Sequence, residues 1–79
     1  MEEMIRAYLR LFPDIVLQGV YDAGDEIAVC YTRADGTPGS VGFDKKNRLP
    51  CPRHDEGREP GRKLDLAGLD AYLKENANG

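Results

Sequence analysis

Cys51, His54, Asp55 and Glu56 are the residues of this chain whose types and spacing come closest to chemistry. A cysteine thiolate beside a histidine base is a nucleophile, and Cys-x-x-His is half of a zinc site. An activated nucleophile, however, needs its base fixed by a third group and a donor pair for the oxyanion. These four residues stand among Pro50, Pro52, Gly57 and Pro60, where no regular element holds them. A chain without its own catalysis is expected. Structural zinc takes four ligands, mostly cysteine or histidine, and Cys30, Cys51 and His54 are all the chain has. A thiol or metal site at Cys51 and His54, with Asp55, Glu56 and Cys30 as further ligands, therefore stands as an alternative. The leading expectation is no metal and no cofactor.

The second kind of chemistry is anion recognition. Residues 1–44 carry a net charge of −5 and residues 64–79 carry −2, whereas residues 45–63 carry +4, within a chain of net charge −3. One basic segment thus interrupts an acidic protein. Broad nucleic-acid binding normally needs a basic domain, but a local contact to an anion needs only a few cations. Arg48, Arg53, Arg58, Arg62 and Lys63 are the candidates, because guanidinium groups fork onto carboxylates and phosphates. Arg58, Arg62 and Lys63 also lead up to a helix start, where backbone donors attract anions. Asp65 at that start uses one such donor and repels an incoming anion.

What must position these residues is read from hydrophobic period. Ile5, Tyr8, Leu9 and Phe12 recur at helical spacing, with Glu2 and Glu3 at the favourable N-terminal end and Pro13 stopping the run. A helix is predicted over 2–11. The pattern then alternates: Ile15, Leu17, Gly19 and Tyr21 form one series, and Ile27, Val29 and Tyr31 form another. Turn chemistry at residues 22–25 separates them. An Asp35-Gly36 hairpin signal precedes a third strand marked by Val41 and Phe43. Asn47 in a left-handed turn would let Arg48 and Leu49 return as a short fourth strand, limited by Pro50 and Pro52. Asp65 is a good N-cap with Leu64 stapling to Leu69, and Leu66, Leu69, Tyr72 and Leu73 make the apolar stripe of a helix over 66–76, fraying through Asn78 and Gly79.

The expected fold is a single small α+β domain over 1–79. It is a two-layer sandwich, in the order helix, three strands, a short fourth strand and helix, with an antiparallel meander covered on one face by two helices. Residues 45–63 are expected as a long basic loop in water, since loops of that length are either functional or disordered. Cys30 reads as a small buried thiol and neither cysteine is expected to be bridged.

The helix-sheet-helix order resembles that of double-stranded-RNA-binding domains in topology, three strands between two helices with lysines opening the second. Here Arg62 and Lys63 are followed by acidic Asp65, and the first helix carries Glu2 and Glu3. The resemblance implies RNA binding through the basic loop and second helix as an alternative. The leading expectation is a cytoplasmic, soluble binding module without a membrane segment, presenting Arg48, Arg53, Arg58, Arg62 and Lys63 to an acidic protein partner. An edge strand left open by so small a meander could also pair two copies.

Overall fold

A computed structural model describes residues 1–76. The first helix, α1 (Glu2–Arg10), is followed by β1 (Val16–Asp22), β2 (Glu26–Thr32), β3 (Pro38–Asp44), β4 (Pro50–Pro52) and β5 (Arg62–Leu64). A 3-10 turn (Leu66–Gly68) leads into α2 (Leu69–Asn76). The strands form one antiparallel sheet in the order β4-β3-β2-β1-β5. The fold is the small α+β arrangement read from the sequence, enlarged by β5. The fraying expected at Asn78 and Gly79 lies outside the described residues.

Hairpin chemistry sets the register. Ala23 N–H donates to the Glu26 carbonyl at 3.0 Å, closing a two-residue loop whose first residue, Gly24, has φ +84°; a glycine is needed at that position. Arg33 N–H reaches the Thr37 carbonyl at 2.8 Å around the Asp35-Gly36 turn. In the third turn the left-handed residue is Arg48, φ +59°, and not Asn47. Asp44 fixes that choice: its carboxylate accepts the Lys46 and Asn47 amides at 2.8 and 2.7 Å, and its carbonyl accepts Arg48 N–H at 2.7 Å. The fourth strand consequently starts at Pro50 and not at Arg48.

One face of the sheet is the core. Val20, Val29 and Val41 stand opposite one another across three strands, beside Ile27 and Phe43. Ile5 of α1 and Leu69 of α2 seal this layer, each fully buried, with Tyr8 meeting Phe43 edge-on at 5.5 Å. Both helices therefore cover the same side. Asp65 caps the last turn through Ala67 N–H at 3.1 Å. Asp70 joins the two helices, accepting the Met1 α-ammonium at 2.6 Å and the Glu2 amide at 3.3 Å.

The alternation in β1 breaks once. The register slips between Leu17 and Gly19, so Gln18 is an extra residue in the strand and donates to Thr32 Oγ1 at 2.6 Å. Leu17 and Val20 then share the helix side, while Gly19 and Tyr21 face the opposite one.

That opposite face is covered by residues 53–61. β4 and β5 lie at opposite edges, so the connection must cross the sheet, and the helices occupy the other side. Four strand spacings are about 19 Å, within the roughly 30 Å that nine extended residues can span. The path is marked by its contacts. Gly57 lies over Pro38 and Gly39, the Arg58 carbonyl accepts from the Cys30 thiol at 3.5 Å, and Glu59 accepts from Tyr21 Oη at 3.2 Å. Each step moves one strand further across. Small residues beneath make room: Gly19, Ala28, Cys30, Ser40 and Gly42. Thus 45–63 is not an open loop, and the picture of the whole basic segment standing in water is corrected. It holds two edge strands and a polar strap.

Candidate functional site

The five cations expected to form one contact surface are dispersed by this path. Arg53 turns inward. Its guanidinium bridges Glu26 and reaches Asp55 Oδ2 at 2.8 Å, with side chains only 17, 25 and 20% exposed respectively. Burial works to raise the Asp55 carboxyl, but the Arg53 hydrogen bond, then the nearby Ser40 hydroxyl, the Arg53 charge and the Gly57 amide outweigh it and hold the group below the ordinary carboxylate range. Asp55 Oδ1 is enclosed without a hydrogen-bond partner. Arg53 is accordingly a strap anchor, unavailable to an acidic partner. Arg58 is exposed on the strap, Lys63 lies opposite Tyr21 on the β5 edge, and Arg62 stacks over the Tyr72 ring at 5.9 Å.

Arg48 alone enters a basic concavity. The turn after β3 and the last turns of α2 enclose a groove of about 670 Å³ lined by Lys45, Lys46, Arg48, Asp70, Leu73 and Lys74. Lys45 is committed, donating to Asp22 Oδ1 at 2.8 Å. Among the described residues, the charged side-chain nitrogens of Lys46, Arg48 and Lys74 form no ion pair within 4.0 Å. Asp70, the acid of the wall, is already held by Met1. Among the described residues the groove thus offers three cations without an ion pair above the apolar side chain of Leu73, although the Arg48 charge is felt by Asp70 and the Lys46 charge by Asp44.

Asp22 sets the geometry of this end of the molecule. Besides Lys45 it accepts Tyr72 Oη at 2.6 Å and the Gly24 amide at 3.0 Å. These bonds join β1, the turn after β3, and α2 at one carboxylate. The Lys45 hydrogen bond, then the Tyr72 one, then the Gly24 amide and the Lys45 charge lower its pKa against the opposing effect of burial, down to about 2. Sequence reading missed Lys46 and Lys74 as site residues. Lys74 reads locally as a helix-end cation, and only the docking of α2 brings it to the turn.

Cys51 and His54 do not form a visible pair. Cys51 is half-buried with its thiol 3.7 Å from the Leu49 carbonyl, and His54 is exposed. Cys30 is buried on the same sheet face, two strands over and staggered by two residues. Strand spacing and rise put the two cysteines about 12 Å apart, beyond the ~7 Å limit between Cα atoms for a disulfide. Burial pushes the Cys30 thiol up, away from the reactive thiolate. Among the described residues no three His, Cys, Asp or Glu side chains gather in a way that could hold a metal ion. Likewise no helix among them is long and apolar enough to cross a membrane.

No protein-family model matches the chain, and comparison with curated proteins and with solved structures returns no match.

Proposed function

We propose that this chain is a small non-catalytic binding module that takes an acidic segment of a protein partner into the groove between the β3–β4 turn and α2. Lys46, Arg48 and Lys74 donate charge-assisted hydrogen bonds to carboxylates, and Leu73 receives one apolar side chain. The observation that carries this reading is the convergence on one groove of three cations without an ion pair among the described residues, two from the β3–β4 turn and one from α2. The net charge of −3 favours a local acidic contact over a long polyanion. A reducing, cytoplasmic setting suits two free cysteines.

The test is anisotropy titration of a labelled glutamate-rich peptide containing one leucine. Changing Lys46, Arg48 and Lys74 together to alanine is expected to weaken binding at least tenfold, on the order of 1.4 kcal/mol. Arg58→Ala should leave it unchanged. Raising salt to about 0.3 M should weaken the wild type several-fold as screening shortens. Equal affinity in the triple variant, or tighter binding of duplex RNA than of the peptide, would overturn the reading.

Arg48 allows binding to be separated from stability. A non-glycine residue in left-handed geometry costs roughly 1 kcal/mol. Arg48→Gly relieves that strain but frees the unfolded chain, so a gain of a few tenths to about 1 kcal/mol in urea unfolding is expected. The same substitution should lower peptide affinity. A variant both destabilised and unchanged in binding would contradict the assignment.

A further inference from the structure

At the opposite end of the strands lies the chain's main exposed apolar surface. Leu11, Phe12, Val16 and Leu17 are 72, 46, 62 and 37% exposed, and apart from Leu49 they are the large apolar residues most open to solvent. All four fall within seven residues, at the corner where α1 hands over to β1. A cavity of about 410 Å³ opens beside them, with Asp14 and Arg33 on its rim. Arg33 is already oriented: it lies 5.6 Å over the Tyr31 ring and donates to the Pro38 carbonyl.

The two sheet edges are treated differently. At β4, Leu49 accepts from Asp44, so by alternation Cys51 faces β3 while Pro50 and Pro52 point outward without a donor. That edge is closed to pairing. On the other edge β5 covers only Val20–Asp22, and no strand lies on the outer side of Val16 and Leu17, whose inner side pairs with β2. The Gln18 bulge shortens any ladder there. An occupant must then be held mainly by side chains.

We propose that this corner docks a second copy of the chain. A two-fold interface brings the same patch to itself, so residue i meets j while j meets i. The rim satisfies that condition with one group of each sign, Asp14 of one protomer facing Arg33 of its partner and the reverse, around a shared apolar centre. A partner of strongly acidic character, as the groove requires, would gain nothing from so balanced a rim. Because β1 is seven residues long, the groove lies about 23 Å away along the strand and stays open in the dimer. Each dimer therefore presents two basic grooves, and bivalent partners would bind with avidity.

Sedimentation equilibrium across a dilution series reaching roughly 1 mM, the range a weak interface needs, tests the proposal. The mass is expected to rise from 8.8 kDa towards twice that value. Leu11→Ser with Val16→Lys, both at exposed positions, should hold it at the monomer value with an unchanged thermal melt. Asp14→Arg should weaken the dimer about tenfold, and adding Arg33→Glu should restore it. A wild type that stays monomeric throughout, or reversals that fail to compensate, would overturn the proposal. Groove variants should leave the mass unchanged, so failure of the dimer is distinguishable from failure of acidic-peptide binding.

Discussion

Arg53→Ala is expected to cost about 3 kcal/mol of unfolding free energy and to expose the buried thiol of Cys30. Its guanidinium serves Glu26 and Asp55 together. Removing one partner of a largely desolvated pair leaves the other charge uncompensated, which typically costs about 3–5 kcal/mol. Partial exposure puts this case at the lower end. Here the Glu26 and Asp55 carboxylates would both lose their shared cation, so mutual repulsion adds to desolvation. The strap lies directly over Cys30, and its release should speed labelling of that thiol by an aromatic disulfide at least tenfold, while Cys51 changes little. Urea unfolding and two-phase thiol labelling read the two effects. A variant of wild-type stability with a slow second thiol would show that Arg53 does not anchor the strap. Adding Glu26→Gln to Arg53→Ala should recover part of the loss, since it removes one orphaned charge.

The second large effect is acid sensitivity at Asp22. Folded, its carboxyl titrates at about 2; unfolded, it returns to roughly 4. A depressed folded pKa contributes stability that is complete above the unfolded value and is lost as pH falls through the folded one. The window therefore runs from about pH 4 down to about pH 2, with nothing lost above it. At roughly 1.4 kcal/mol per unit, the contribution near neutral pH is about 2–3 kcal/mol. Asp22→Asn should lose about that amount at pH 7 and less as pH approaches 2, flattening the acid limb. Asp35, Asp44, Asp55 and Asp70 are also held low, so a residual acid slope should persist in the variant. A parallel displacement of the whole pH curve would show that Asp22 acts by packing instead of charge. Tyr72→Phe should reproduce a fraction of the effect, because it withdraws one of the carboxylate's donors.

Much of the scaffold was legible because its signals are local. Pro13 ends α1, Gly24 and Gly36 turn the hairpins, and Val29 with Val41 shows a period of two. The cap at Asp65 is another signal carried within a few residues. The strap was not legible, since prolines, glycines and charges over 53–61 have the composition of a solvated connection. Their polar groups are instead satisfied by Glu26, Tyr21 and Cys30, residues more than twenty positions away. One trace of it was present. Gly19, Ala28, Cys30, Ser40 and Gly42 keep the far face of the sheet shallow, and a Cβ at Gly42 would overlap the Glu26 carboxylate. A face so small in side chains implies something polar and close above it. The groove had no such trace, because Lys46 and Lys74 are separated by the strap and by β5, and only docking of α2 joins them.

A single crossing segment ends in both outermost strands, and this changes how the sheet can come apart. An ordinary meander loses its outermost strand first and keeps the remainder. Here, peeling either rim drags on a belt fastened at the other, so the two margins share one fate and partial unravelling gives way to collective opening.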